Sequence, residues 1–313
     1  MSALEQARTH YEAGDFEKAR AAAVEGLSSA ADDIELLRLA GRAGVETGAP
    51  DAVDQLTKVT EVQPESAEAW RDLADALAAE GRTEEAEKAF QKVLEIEPED
   101  EVAQTALGHT AFQAGRRDDA VALLEQVAGR SGGVSTAHVS LVDMYRAVGQ
   151  PEEALAAARK IVDADPGNAL AALDVAELSL DVGRPDEAAE AFGRLRELTD
   201  LPEDEVAALQ GMIKAALRNG DEQRALELAR EAGAIDTVGR TTAVLAHLEL
   251  SAGDGGGQIE VGVARGQSTA FLQALEAPPS RDEIETLVDA TLADFRRKLT
   301  EDDRSVTTED VVG

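Results

Sequence analysis

The sequence predicts an all-α protein, namely a solenoid of about seven helix–turn–helix units followed by a divergent C-terminal cap. The main observation is a glycine that returns every 33 to 37 residues and is followed, five positions later, by a small aliphatic residue. A period of this length is typical of chains that stack pairs of helices. Composition agrees, because 43% of the 313 residues are hydrophobic but only 3% are aromatic. A core built mostly from Ala, Leu and Val suits close helix packing.

The recurring glycine marks the turn inside each unit. The seven glycines are Gly14, Gly48, Gly81, Gly115, Gly149, Gly183 and Gly220. Each stands where the first helix of its unit must stop, because glycine tolerates a positive φ angle. In the third unit we expect Thr83 to be the N-cap of the second helix. Glu84 and Glu85 then fall in the first turn, where acids complement the helix dipole.

Small residues follow each turn because the two helices of a unit approach most closely there. They are Ala19, Val53, Ala86, Ala120, Ala154, Ala188 and Ala225, with Ala52 as the better match in the second unit. An apolar stripe then continues along the second helix until a proline such as Pro98 ends it. A single helix pair cannot bury its own apolar face, so we expect the units to stack.

The third unit resembles the tetratricopeptide repeat. The residues on the signature positions of that family are Trp70, Leu73, Ala74, Leu77, Gly81, Ala86, Phe90, Val93 and Pro98. The resemblance extends over about residues 1–235 and implies a right-handed α-solenoid whose first helices line a concave groove. It also implies a non-enzymatic adaptor or scaffold that holds a segment of a partner protein in that groove.

The family pattern places a set of side chains on this groove. They are Val102, His109, Phe112, Val139, Asp143, Arg146, Leu170, Leu173, Glu177 and Leu180, and the seventh unit adds Lys214 and Arg218. Apolar residues ringed by Asp143, Glu177 and Asp181 predict a protein or peptide partner with an apolar face and basic flanks. The other interpretation is that the apolar members are buried by packing of the next repeat.

Residues 236–313 lose the period and form a second predicted region. It begins with a partial eighth unit, Thr241 to Ala252, and a glycine-rich turn over residues 253–258. An amphipathic helix follows over residues 280–299, with Ser280 and Glu283 as a capping box. Its predicted stripe is Ile284, Leu287, Val288, Leu292, Phe295 and Leu299. This helix either caps the open end of the solenoid or serves in docking or dimerisation, and an acidic tail ends the region.

Charge excludes several classes of partner. The chain has 63 acidic and 30 basic residues, a net charge of -33. We therefore expect no binding to nucleic acid and none to anionic membranes, since both require Lys and Arg. The acidity fits either a salt-adapted protein or a surface matched to a basic partner. No apolar run is long enough to span a membrane and the first residues do not resemble a secretion signal, so a cytoplasmic location is expected.

No catalytic or metal-binding pattern is present in the sequence. The chain has no cysteine, and its histidines, His10, His109, His138 and His247, do not have the spacing of a metal site. We expect His138 at a helix-packing position and His109 on the groove. The sequence therefore predicts that the chain is not an enzyme and needs no cofactor.

Two alternatives to the adaptor stay open. The strand-like run from Ile259 to Ala264, followed by Arg265 and Gly266, is similar in outline to the start of a nucleotide-sensing ATP-cone module. A regulator with such a C-terminal module is the first alternative. The second is an assembly protein whose repeats mediate homo-oligomers, since the sequence does not determine the oligomeric state.

Overall fold

Helices account for the regular secondary structure in the computed structural model, which describes residues 2–130, 133–236, 241, 244, 248 and 280–310. Fourteen helices form seven successive pairs and one long helix follows. The bounds are α1 Ala3–Glu12, α2 Phe16–Leu27, α3 Ile34–Thr47, α4 Ala52–Val62, α5 Ala67–Ala79, α6 Thr83–Ile96, α7 Glu101–Gln113, α8 Arg117–Arg130, α9 Thr136–Val148, α10 Pro151–Ala164, α11 Ala169–Asp181, α12 Pro185–Glu197, α13 Pro202–Arg218, α14 Glu222–Ile235 and α15 Arg281–Asp310. The predicted all-α fold of paired helices is confirmed.

The turn inside each pair is closed by the backbone around its glycine. All seven predicted glycines have positive φ angles, between 67° and 82°. In the third pair the N–H of Gly81 donates to the carbonyl of Ala78 at 2.9 Å, and the N–H of Arg82 donates to the carbonyl of Leu77 at 2.9 Å. These two bonds satisfy carbonyls that the end of a helix otherwise leaves unpaired. The repeated glycine therefore ends one helix and allows the chain to turn into the next.

The expectation that Thr83 caps the second helix is wrong. Thr83 is the first residue of α6, Arg82 occupies the N-cap position, and no side chain caps the helix. The glycine turn brings Arg82 to the N-cap position, and a guanidinium has no acceptor for the free N–H groups of the helix. Several first helices do carry side-chain caps, since Ser66 accepts from the N–H of Ala69 and Asp100 from that of Ala103.

The small residues after the turns are buried, as expected. Ala86, Ala120, Ala154 and Ala188 are completely buried. In the second pair Ala52 is 3% exposed and Val53 is 6% exposed, so the better match is the alanine. Closest approach at these positions sets the spacing of the two helices in each pair.

At three glycines inside first helices, a large side chain of a second helix packs against the backbone. A Cβ atom added at Gly211 of α13 would lie 2.3 Å from the ring of Phe192 in α12. At Gly41 it would lie 2.5 Å from Leu56, and at Gly108 it would lie 3.0 Å from Leu124. These side chains pack directly on backbone, which is how a core poor in aromatic residues reaches high density.

Two lobes make up the fold. The N-terminal lobe is Met1–Met144 and the C-terminal lobe is Tyr145–Gly313. Within the C-terminal lobe, α15 packs mainly on α13 and α11, the first helices of the last two pairs. The expectation that it caps the open end of the solenoid stays a prediction. The predicted domain boundary near residue 235 stays a prediction.

The predicted C-terminal helix is confirmed and is longer than expected. The N–H of Glu283 donates to Ser280 Oγ at 3.3 Å and the N–H of Ser280 donates to Glu283 Oε2 at 2.7 Å, so the capping box forms. Four members of the stripe are buried and a fifth, Leu299, is partly buried. Leu287 is 43% exposed, and Thr291 takes a buried place instead. The glycine-rich turn, the strand-like run and His247 lie outside the described residues.

Replacing Gly211 by Ala should destabilise the C-terminal lobe. The new methyl group would overlap the ring of Phe192, and overpacking of this kind costs about 1–3 kcal/mol of unfolding free energy. The matched control is Gly193→Ala in α12, where an added Cβ meets nothing within 4 Å. That control should gain about 0.5–1 kcal/mol from helix propensity. Urea unfolding of the two variants checks this, and equal shifts would contradict the packing argument.

Candidate functional site

The ten predicted groove residues divide between the two lobes. Val102, His109, Phe112, Val139 and Asp143 belong to the N-terminal lobe, and Arg146, Leu170, Leu173, Glu177 and Leu180 belong to the C-terminal lobe. All ten lie on first helices, namely α7, α9 and α11. We call the side chains that the first helices of one lobe present away from their second helices the first-helix surface of that lobe.

In the N-terminal lobe this surface exposes two valines. Val102 is 59% exposed on α7 and Val139 is 47% exposed on α9. The two helices are neighbours, because His109 Nε2 lies 2.8 Å from Ser140 Oγ. Phe112 is only partly buried, and the guanidinium of Arg117 lies 5.6 Å from its ring centre. Uncharged β-branched side chains left in water on adjacent helices are a candidate contact surface.

His109 is not a source of positive charge on this surface at neutral pH. Desolvation by neighbouring protein atoms lowers the pKa of its imidazole, and the negative charge of Asp143 acts in the opposite direction. His138, by contrast, is buried at 5% exposure, as its predicted packing position requires.

An ionic cluster on α3, α5 and the start of α7 was not predicted. Arg38 bonds to Glu68 and Asp72, and Arg71 bonds to Asp100. Desolvation and the charge of Asp72 raise the pKa of Asp75 to about 6, and Arg71 and Arg42 offset this only in part. The arginine and the acid of each pair are about one repeat apart in sequence. Opposite charges on first helices, separated by one repeat, are therefore the sequence signal that could have predicted this cluster.

Replacing Asp75 by Asn should stabilise the protein in a pH-dependent way. An acid whose pKa is raised on folding weakens the folded state as pH rises from its ordinary value through about 6. Asp75 is exposed, so water screens the effect and we expect a gain in Tm of ~2 °C at pH 7.5. Thermal unfolding should show the gain growing between about pH 4 and 6 and then levelling off. Asp54→Asn, at an exposed position of α4, should show no such gain, and a pH-independent gain at Asp75 would contradict the assignment.

In the C-terminal lobe two predicted groove residues are core residues. Leu173 is completely buried and Leu180 is 7% exposed, and both lie in one cluster with Ile284, Val288 and Phe295 of α15. The interpretation that packing buries them holds for these two. Leu170 and Glu177 are partly exposed.

The acidic end of the C-terminal first-helix surface is paired with α15. Arg296 of α15 places Nη1 2.7 Å from Asp174 Oδ1 and Nη2 2.6 Å from Glu177 Oε2. Arg146, another predicted groove residue, reaches Asp174 at 3.0 Å. Lys298 lies 2.6 Å from Glu203 at the start of α13. Two basic side chains near the middle of α15 thus pair with a cluster of acids.

The opposite end of the same surface is basic. Arg218 Nη2 lies 2.6 Å from Glu285 Oε2, and Lys214 bonds to Asp289. Arg281 donates to the carbonyl of Leu217. From Glu203 to Arg218 the residue numbers rise along α13, whereas the numbers of their partners on α15 fall from Lys298 to Glu285. The two helices are therefore antiparallel. The predicted groove positions Glu177, Lys214 and Arg218 are among the residues that contact α15.

The two lobes should respond differently to truncation at a groove position. Leu173→Ala removes a fully buried side chain and should cost about 2–5 kcal/mol of unfolding free energy. Val102→Ala shortens a side chain that is 59% exposed and should change stability by less than about 0.5 kcal/mol. Urea unfolding checks both values. A small effect at Leu173 would mean that this residue is not part of the core.

Comparisons with known proteins agree with this architecture. Three family models described as tetratricopeptide repeat match the chain, one over residues 77–133 and 145–213, one over residues 46–101 and one over residues 1–25. Together they cover more than half of the sequence. The chain belongs to the tetratricopeptide repeat family, as the sequence resemblance predicts, and the fold of this family is typical of protein–protein interaction scaffolds.

Solved structures show the same fold. The C-terminal part of a TPR repeat-containing protein from Cytophaga hutchinsonii has a TM-score of 0.61 at 12% identity, over 75% of this chain and 96% of that one. A tetratricopeptide repeat protein from Parabacteroides merdae has a TM-score of 0.52 at 15% identity, over 79% of this chain and 97% of that one. At these identities the similarity concerns the fold alone. Curated proteins give no match to the chain.

Metal-ligand clusters and membrane-spanning helices are both absent from the residues that the structure describes. Among them, no group of three or more His, Cys, Asp or Glu residues could hold a metal ion. In that same part of the chain, a helix of the length and apolarity needed to cross a membrane is not found.

Proposed function

We propose that this protein is a non-enzymatic cytoplasmic adaptor that holds a segment of a partner protein on its first-helix surfaces. The observation that supports this function is the position of α15, an amphipathic helix that lies on α11 and α13 in the same chain. Binding of an amphipathic helix by its apolar side, with charged pairs at the margins, is a general mode of recognition. The C-terminal lobe thus provides an internal example of the contact.

The first-helix surface of the N-terminal lobe is the place for an outside partner. Val102 and Val139 offer exposed apolar area on adjacent helices. A partner segment with an apolar side would cover these two valines. The net charge of -33 favours a partner whose flank is basic.

Site-specific photo-crosslinking in the cells of the source organism tests this function. A photoreactive benzoylphenylalanine is placed singly at Val102, at Val139 and, as the control, at Val62. Val62 is 63% exposed but lies on a second helix, α4. We expect the same protein adduct from the first two positions and none from Val62. Mass spectrometry should map the adduct to a segment with an apolar side and nearby Lys or Arg.

Other outcomes contradict the proposal. Equal adducts at all three positions would indicate non-specific contact, and absence of adducts at Val102 and Val139 would remove the assignment of this surface. Adducts to a second copy of the same chain would favour the homo-oligomeric alternative. The nucleotide-sensing alternative stays a prediction, because its strand-like run lies outside the described residues.

A further inference from the structure

The contact between α15 and the C-terminal first-helix surface has a defined polarity. Glu285 and Asp289, early in α15, pair with Arg218 and Lys214, whereas the basic residues Arg296 and Lys298, near its middle, pair with acids of α11 and α13. A helix laid in the opposite direction would place acids against acids and bases against bases. Like charges at such distances are repulsive, so the surface selects one direction of the helix.

Lys214 shows how α15 covers and pairs this surface. With α15 in place its side chain is only 11% exposed, and its carboxylate partner Asp289 comes from that helix. Asp174 of α11, also 11% exposed, is paired by Arg296 of α15 and by Arg146. Departure of α15 would leave these charges with fewer counter-ions and would expose apolar side chains to water. The uncovered surface would therefore favour a helix that supplies the same charges in the same order.

The apolar edge of α15 is not fully complementary to the surface formed by α11 and α13. Ile284, Val288, Leu292 and Phe295 are buried, but Thr291 is also buried, at 8% exposure, in the middle of this edge. Its hydroxyl donates back to the carbonyl of Leu287 at 3.2 Å. Buried hydroxyl groups gain less from removal from water than methyl groups of the same shape. Another helix with an apolar residue at this place would bind better.

Attachment to the chain compensates for this imperfect match. A segment of the same chain faces its site at a high effective concentration, so a separate helix of equal intrinsic affinity displaces it only above that concentration. A second copy of this chain brings an identical α15 and so has no advantage over the tethered one. A partner helix with a better apolar edge has such an advantage.

We propose that α15 is a displaceable occupant of the surface formed by α11 and α13, and that this surface binds a helix of another protein with the same pattern. The partner helix carries apolar residues at positions i, i+4, i+8 and i+11, acids in its first half and two bases near its end. It lies antiparallel to α13. This inference rests on the proposed function and adds the regulation and the partner class of the C-terminal lobe.

Binding of a labelled peptide to the full-length chain tests the proposal. The probe is a fluorescent peptide of residues 280–301 with Thr291→Val, measured by anisotropy. In the first variant, Arg296→Glu and Lys298→Glu set α15 against its acidic partners and release it. We expect this variant to bind the peptide at least ~10-fold more tightly than the wild type, because the competing tethered helix has left. The unsubstituted peptide should bind more weakly than the Thr291→Val peptide.

A neighbouring residue provides the matched control. Arg297 is 63% exposed and pairs only with Asp294 and Glu301 of its own helix among the contacts of the described residues. Arg297→Glu should leave peptide binding as weak as in the wild type. Circular dichroism of each variant checks that helicity is retained. If the double variant loses helicity, Leu292→Asp with Phe295→Asp releases α15 through its apolar edge instead.

A charge exchange locates the bound peptide. In the released chain, Arg218→Glu should weaken binding at least ~5-fold, and a peptide with Glu285→Arg should restore it, since the pair is 2.6 Å apart in the tethered complex. Equal binding by the released, control and wild-type chains would overturn the proposal, as would indifference to Arg218→Glu. A concentration-dependent wild-type dimer that disappears in the released variant would assign the surface to a second copy and likewise overturn it. These measurements use purified protein and peptide, so their outcome does not depend on the crosslinking result at Val102.

Discussion

The close approach of two helices just after a glycine turn is the constraint on which the rest of the structure depends. Gly81 and its six counterparts adopt a positive φ angle, and the small residue after each turn is buried against the preceding helix. With the pair held this closely, large side chains such as Phe192 pack on the backbone of the next pair at Gly211. The same geometry puts all first helices of a lobe on one side, which creates the first-helix surfaces.

Arginine side chains connect successive pairs at the period of the repeat. Arg38 reaches Asp72, Arg71 reaches Asp100 and Arg159 reaches Glu187, all between 28 and 34 residues apart. In a chain with 30 basic and 63 acidic residues, this use leaves few cations for outside ligands. The planar guanidinium suits bonds to carboxylates better than an ammonium group does. The remaining net charge of the chain is acidic.

The two first-helix surfaces differ in what covers them. The N-terminal one leaves Val102 and Val139 exposed, whereas the C-terminal one carries α15 and buries Leu173. Occupation by a helix of the same chain gives the C-terminal surface a built-in competitor. The proposed adaptor therefore combines an open N-terminal first-helix surface with a C-terminal one from which a partner helix must displace α15.

The sequence by itself determined the helix pairs, their turns and the family, because positive φ angles and small contact residues are local requirements repeated in each unit. Helix-ending prolines return in several units, at Pro64, Pro98 and Pro166. It also determined the amphipathic helix at residues 280–299 and its capping box. It did not determine which groove positions stay exposed, as Leu173 shows. Only the tertiary structure decided that Arg296 pairs with Glu177, 119 residues away, because such contacts depend on the position at which a helix distant in sequence packs. The physical reason is that burial and ion pairing are properties of assembled surfaces, whereas turns and caps are properties of short segments.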